Sequence, residues 1–517
     1  MYPPIAPTNY SFTHFPHFFL HHSPLSTNKI LNHPANFVCK AKNSNEKIPK
    51  TNRNKKEFPE LKFDRRDFLL IGFGSSGIYS TVANLKSLSP DFSNCVDAIK
   101  PDGKPVNCCP KSTSAAEISD FVPNSVAATT RVRAAAQSVS GAANMAKYKK
   151  AIDLMKNLPA DDPRNFTQQA NVHCAYCDGG YNQEGYSDLK FGIHESWLFF
   201  PFHRWYLYFF EKICGKLLED ETFALPFWNW DSPSGMVIPA MFNEIGSPLY
   251  DRRRNQDHLP PAVADLNWDE DVLPVRVNPE TQIKYNLSIM YKQMITNATT
   301  PRLFMGQPVR AGDDITMKCG AGSIEIAPHN TMHTWTGNQW RRQRGYTGPG
   351  DPREPNTENM GVFYSAARDP IFYPHHANID RLWTIWVNKL HGKVFTDPNW
   401  LETSFVFYNE DAYPVRVKVK DCLDLSRLGY AYEETPIPWI DAKPRPRGKY
   451  VRIPNSLEAT QALPKTLDNV RIPNSLEATQ ALPKILDNVL KITVKRPKKL
   501  RSAKEKQEAE EVLLIEE

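Results

Sequence analysis

Between His194 and Cys214 the chain reads HESWLFFPFHRWYLYFFEKIC, a run of large apolar and aromatic residues interrupted by two histidines and an arginine. It is too apolar for a surface segment, and an ordinary core helix has no use for imidazoles. Pro201 lacks an N–H and suits the first turn of a helix, so a helix is predicted from Pro201, with His203 in its first turn. His194 falls in the preceding segment, across that break. Downstream, PHNTMHTWTG sets His329 and His333 one helical turn apart, on the same face. The run from Phe68 to Ala83 is apolar but short and Gly/Ser-rich, a poor membrane span, and no other stretch could cross a membrane. Near the C-terminus NVLKITVKRP alternates like a strand, KKLRSAKEKQEAEE is densely charged, and VLLIEE reads as a return strand.

Length and composition narrow this picture. The 517 residues allow two or three domains, or one large domain that absorbs most of them. An apolar fraction of 41% and a charged fraction of 23% are those of a soluble globular protein. The 43 prolines and 11 tryptophans imply long loops on an aromatic-rich core. A net charge of +6 is small for this length, and its basic residues gather in the leader and near the C-terminus. No nucleic-acid stripe results, and no nucleic-acid partner is expected.

No acidic residue precedes Glu46, and Ser, Thr, Asn, His and Phe are frequent there, as in an organelle transit segment. Arg65 and Arg66 ahead of the modest apolar run read as a Tat-type signal. Plastid import followed by transfer to the thylakoid lumen is the natural combination. Residues 1–90 are accordingly read as leader, with the mature chain starting between Leu85 and Asp91. Of the nine cysteines, Cys95, Cys108, Cys109, Cys174 and Cys177 gather in one third of the chain. Adjacent cysteines do not easily bond each other, so Cys108 and Cys109 each need a distant partner. The CxxC of HCAYC has no second CxxC downstream for a zinc site. Disulfides, and an oxidising compartment, fit better.

Burying two imidazoles costs roughly 1–3 kcal/mol each unless they are paired. A metal removes that cost, since neutral imidazole is a common ligand for copper and zinc. His173 in NVHCAYC, His194 and His203 form one candidate set. His329 and His333 begin a second, completed from DPIFYPHHANIDRLW by one of His375 and His376, since neighbours on a helix point about 100° apart. A zinc-hydrolase reading requires Glu directly after the first His of the HxxxH pair, and that residue is Asn330. Nitrogen-only sites suit copper, and two of them suit a copper pair that binds dioxygen.

HESWLFFPFHRWYLYFFE and DPIFYPHHANID closely resemble the two signature regions of the type-3 copper proteins. With HCAYC, PHNTMHTWTG and RVKVKDCLD the chain resembles the plant polyphenol oxidases, the tyrosinase and catechol oxidase family, from about Asp91 to about Pro438. The resemblance implies a mainly helical fold, a four-helix bundle carrying a dicopper site (two copper ions) and wrapped by long loops. His173, His194 and His203 would hold the first copper, and His329, His333 and His376 the second. The family ligand stands four before the aspartate, here Asp380, which selects His376 and leaves His375 beside the site. The resemblance also implies disulfides Cys95–Cys109 and Cys108–Cys174, and a thioether between Cys177 and His194. Cys39, Cys214, Cys319 and Cys422 have no family role, and those in the folded region are expected as buried thiols. Phe363 matches a gate phenylalanine that can stack on a substrate ring, Glu325 a water-holding glutamate, and Asn330 the asparagine that helps to orient that water. Trp197, Phe199, Phe200, Phe202 and Trp205 are expected to pack around the site.

The implied activity is oxidation of o-diphenols to o-quinones with dioxygen reduced to water, with room for ortho-hydroxylation of monophenols. Its partners would be dioxygen and small phenols, without stable membrane insertion. Hemocyanin-like dioxygen carriage and an inactive truncated copy are the alternatives. Residues 91–438 are thus read as the catalytic domain. A Pro-rich linker follows at 439–488, in which VRIPNSLEATQALPKTLDN is repeated almost unchanged from Val470. Two copies do not make a solenoid. Residues 489–517 read as the opening of a C-terminal β domain that shields the site in latent relatives. Two strands cannot bury a core, so the expectation is an incomplete shield and an enzyme that needs no proteolytic activation.

Overall fold

The computed structural model of the chain describes residues 87–444, apart from 101–102, 112–116, 126–129, 270–276, 316–319 and 338–357. The leader, the twin-arginine segment, the duplicated linker and the strands expected in 489–517 lie outside the described residues.

As expected, the fold is mainly helical. Four longer helices build its centre: α1 (Val139–Asn157), α2 (Phe166–Cys177), α3 (Phe199–Leu218) and, after the short helices α4 (Asn330–Thr336) and α5 (Phe363–Ala366), α6 (Phe372–Asn388). Local chemistry sets the helix ends. The Ser138 hydroxyl accepts from Gly141 N to cap α1, and the Asn165 side chain accepts from Thr167 N to cap α2. At the end of α3, Glu219 turns left-handed (φ 52°) and its N–H reaches back to the last carbonyls. α3 packs against α1 and α6 and is buried on nearly every face, which explains its all-round apolar sequence.

α3 begins at Phe199, two residues before the predicted start, so His203 stands just past the first turn. The first N–H groups of a helix have no internal partner, so Pro201 is as acceptable at the third position as at the first. The second histidine pair departs further from a regular helix. Ala327 is extended (φ −157°, ψ 132°), which interrupts the helical backbone two residues before His329. His329 therefore sits at the head of α4 and His333 inside it.

Short strands tie the periphery together. They are β1 (Pro90–Cys95), β2 (Ser119–Asp120), β3 (Arg131–Arg133), β4 (Tyr181–Gln183), β5 (Tyr186–Lys190), β6 (Ser404–Tyr408), β7 (Pro414–Lys418) and β8 (Tyr430–Tyr432). β1–β4–β5 and β2–β7–β6 form three-stranded sheets. β3 and β8 pair in parallel, Arg131 opposite Tyr430 and Arg133 opposite Tyr432. β6 is buried at all five positions, as its unbroken SFVFY pattern demands. Disulfides Cys95–Cys109 and Cys108–Cys174, with Cα atoms 5.6 and 5.8 Å apart, staple the N-terminal strands to α2 beside His173. They are the pairs that the resemblance implies. Cys214 and Cys422 are buried free thiols, and Cys39 and Cys319 lie outside the described residues. Among the described residues no helix is long and apolar enough to cross a membrane.

Buried charges join these layers. Arg133 bonds Glu211 at 2.7 Å, and Glu211 also accepts from Arg131 at 2.9 Å. Arg204, next to His203 on α3, reaches Asp380 on α6 at 2.6 Å. Tyr430 and Tyr432 donate to the other Asp380 oxygen, each at 2.6 Å. β3 and β8 are thereby tied to α3 and α6, both of which carry histidines of the set.

Candidate metal centre

Five elements of chain bring seven imidazoles to one buried locus. His173 comes from α2, and His194 from a turn in which Glu195 is left-handed (φ 57°). His203 comes from α3, His329 and His333 from the head and body of α4, and His375 and His376 from α6. Ring nitrogens of His173, His194 and His203 and the Cys177 sulfur lie within 4.8 Å of one another. A second group, His329, His333, His375 and His376, meets the same limit. The groups abut: the rings of His203 and His376 stack with centroids 4.1 Å apart, and those of His194 and His329 are 5.7 Å apart.

Oxygen acceptors fix the orientation of five of the rings. His173 Nδ1 donates to the Phe363 carbonyl (3.0 Å), His194 Nδ1 to Glu325 Oε1 (2.9 Å) and His203 Nδ1 to the Phe199 carbonyl (2.8 Å). His329 Nδ1 donates to Asn330 Oδ1 (2.9 Å) and His333 Nδ1 to the Met360 carbonyl (2.9 Å). With the proton on Nδ1, each Nε2 presents a bare lone pair. The Nε2 atoms of His173, His194 and His203 are buried and have no partner. His329 Nε2 and His333 Nε2 face each other at 3.1 Å. Lone pairs set against each other in a dry site are unfavourable unless a cation lies between them. The donor set therefore fits one metal ion in each group, and nitrogen-rich shells favour copper.

Electrostatics keep these rings in the ligating form. Burial, reinforced by neighbouring imidazoles, pushes His173, His203, His329 and His376 well below the usual histidine range. For His333 burial outweighs the Met360 hydrogen bond and lowers the ring to about 4. Neutral imidazole is what a metal binds. Cys177 is different: burial, then Asp178 and Glu325, push its thiol well up, and the protonated sulfur is a poor metal ligand. Its sulfur is a free thiol in the structure. Burial also raises Asp178 to about 6, against the pull of His194.

The remaining predicted residues lie around this locus. Glu325 is fully buried; Oε1 accepts from both His194 Nδ1 and Glu195 N, while Oε2 has no partner. Asn330 is engaged by His329. The Phe363 ring, 47% exposed, lies 4.8 Å from that of His194. Trp197, Phe199, Phe200, Phe202 and Trp205 are all buried. Phe372, which sequence reasoning did not single out, sits between the groups, 4.2 Å from His376 and 4.9 Å from His173. Also unforeseen were the Met360 and Phe363 carbonyls, which leave no side-chain signal, and Trp230, which bonds His375. A cavity of about 820 Å³ lined by Arg204, Trp383, Tyr430 and Tyr432 contains none of the seven histidines and is separate from this chemistry.

Comparison with known proteins gives the same family throughout. The common central domain of tyrosinase matches residues 163–389, the polyphenol oxidase middle domain 395–445, and the chloroplastic polyphenol oxidase C-terminal domain 482–517. The chain is 49% identical over 438 residues to aureusidin synthase of Antirrhinum majus, covering 83% of this chain and 71% of that one. It is 48% identical over 502 residues to the chloroplastic polyphenol oxidase A1 of Vicia faba, covering 94% and 78%. The crystal structure of Grenache (Vitis vinifera) polyphenol oxidase superposes with a TM-score of 0.61 at 50% identity, over 68% of this chain and 99% of that one. Latent aurone synthase superposes at 0.63 with 39% identity, over 71% and 70%.

Proposed function

Since the chain belongs to the plant polyphenol oxidases of the type-3 copper family, we propose that it oxidises o-diphenols to o-quinones. Two catechols give up two protons and two electrons each, and one dioxygen becomes two waters. In this reading His173, His194 and His203 hold one copper and His329, His333 and His376 the other. The copper pair, when bound, supplies dioxygen binding and the electron transfer. The observation that carries the reading is the pair of abutting groups of buried Nε2 atoms, partnerless in His173, His194 and His203 and facing one another in His329, His333 and His376.

The protein's own share is orientation, dryness and proton handling. Carbonyls of Phe199, Met360 and Phe363 and the Glu325 carboxylate hold the rings in one tautomer. The aromatic wall keeps bulk water out. The half-exposed Phe363 ring is the surface on which a substrate ring stacks. Glu325 Oε2, buried and unpartnered, is the atom that holds a water and through it accepts the proton of an incoming monophenol. That supports ortho-hydroxylation beside diphenol oxidation. The relatives include an aureusidin synthase and a (+)-larreatricin hydroxylase, so a specialised phenol is within the substrate class. Cys177, close to His194, is the partner for a thioether that would lock that ring. A peptide pair joining the two residues and surviving reduction is the expected mass-spectrometric sign.

Relatives named chloroplastic, the transit-like leader and two disulfides support a home in the chloroplast, in the thylakoid lumen. Oxygen uptake by copper-loaded protein tests the reaction, with dopamine and tyramine compared side by side. Catalytic consumption of dopamine is expected. Stoichiometric, reversible oxygen binding without turnover would instead mark a carrier and refute the proposal.

A further inference from the structure

Two histidines stand side by side at the head of α6, and both are fully buried. Each offers a ring nitrogen within the 4.8 Å circle of the second group, so proximity alone does not choose the ligand. Hydrogen bonding does. Trp230 Nε1 lies 3.1 Å from His375 Nδ1, and an indole N–H can only donate. His375 Nδ1 therefore accepts, and the neutral ring carries its proton on Nε2, a buried atom that has no other partner. A doubly protonated ring is excluded, because it would set one N–H against another. With one lone pair engaged by the indole and the other nitrogen protonated, His375 has nothing left to offer a metal. His376 differs. Its Nδ1 has no partner, so the ring proton can stay there and leave the Nε2 lone pair, 3.2 Å from His333 Nε2, for the group.

We infer that Trp230 is a positioning residue whose indole N–H locks the His375 tautomer, withdraws that ring from the ligand set and leaves the third place of the second group to His376. The inference rests on the dicopper reading above. Trp230 is itself fully buried and comes from the loop that follows α3, so the selection is made by a side chain far from either histidine in sequence. A Phe at 230 keeps the aromatic body and deletes only the donor. His375 is then free to carry its proton on Nδ1 and turn an Nε2 lone pair into the group.

The test is copper per chain in purified holoprotein, measured by elemental analysis alongside thermal melting. Wild type should hold two coppers. H375Q should also hold two, since the glutamine oxygen still accepts from the indole and no ligand has been lost. H376Q should fall to one, because His375 is locked and cannot substitute. W230F/H376Q should recover towards two, as the released His375 fills the empty place. A merely structural role for Trp230 predicts no such rescue. Loss of copper in H375Q, or full copper in H376Q, overturns the inference. So does an unrescued W230F/H376Q when W230F alone melts like wild type. Should Trp230 variants not fold, nitrogen-15 NMR of the wild-type copper(I) protein decides it: a His375 ring proton on Nε2 upholds the inference, and one on Nδ1 overturns it. Fewer than two coppers in wild type would count against the dicopper reading itself, a different failure.

Discussion

Asp380 offers the sharpest test of how the histidine-bearing helices are held. It stands one turn after His376 on α6 and receives Arg204 Nε at 2.6 Å, from the residue beside His203 on α3. Its other oxygen accepts from Tyr430 and Tyr432, with Arg133 Nη1 at 3.4 Å. Asp380→Asn keeps the shape and one acceptor but removes the charge. Arg204 is then left with the Cys422 carbonyl (3.1 Å), the Thr384 hydroxyl (3.3 Å) and the face of Trp383 (3.7 Å). None of these neutralises a buried guanidinium. Arg133 still has Glu211, so one uncompensated charge dominates the cost, about 3–5 kcal/mol. For a domain of this size the melting point moves roughly 1–2 °C per kcal/mol, so a fall of roughly 3–10 °C is expected. The acid limb should change as well. Burial raises the Asp380 carboxyl, but Arg204, Arg133 and the two phenols outweigh it and hold it below the ordinary range. Its stabilisation is therefore complete above the unfolded value, near pH 4, and is lost as pH falls through the folded one. The variant should lack that part of the acid sensitivity. Denaturant unfolding of metal-free protein, with Lys389→Ala at an exposed pair as a control expected within about 0.5 kcal/mol, gives the measurement. A loss below about 1 kcal/mol in Asp380→Asn would refute the reasoning.

Three further expectations concern the site. Phe363→Ala should raise KM for catechols several-fold with little change in stability, because the ring is half exposed; steady-state oxygen uptake and melting curves check both. Glu325→Gln should depress monophenol hydroxylation far more than diphenol oxidation, since only the former needs a carboxylate to take the phenolic proton; the tyramine-to-dopamine rate ratio reports it. Stripped of metal, the protein should lose stability steeply as pH drops below about 6.5, the unfolded histidine value, because the buried rings resist protonation. His333 alone, lowered to about 4, accounts for roughly 3 kcal/mol between those limits, and unfolding curves across that range should show it. Copper-loaded protein should hold out to lower pH, since ligation competes with the proton.

Much of the site was legible before any coordinates. An apolar run broken by His194 and His203 has few physical explanations, and HxxxH spacing at His329 and His333 needs only helical geometry. The greasy pattern of α3 announced a core helix, although its start at Phe199 was obscured because no capping side chain marks it. The break at Ala327 had a local signal that went unread, since Pro328 pushes the residue before it out of the helical region. The sequence separated His375 from His376 only through the family resemblance. In the structure the two rings differ by a hydrogen bond to His375 from Trp230, a residue that reads in sequence as one more core aromatic.

What the chain by itself determined was an inventory and its local order: which imidazoles exist, which share a helix face, and which cysteines must look far for partners. Those are consequences of residue type and short-range periodicity. Tertiary structure alone decided which nitrogen of His173, His194 and His333 points inward, because the acceptors that hold the other nitrogen are carbonyls and a side chain distant in sequence, whereas His203 and His329 are turned by the nearby Phe199 and Asn330. The Phe363 carbonyl turns His173, Glu325 turns His194, and Met360 turns His333. A lone pair becomes a metal ligand only when packing has given the proton on the opposite side of its ring somewhere to go.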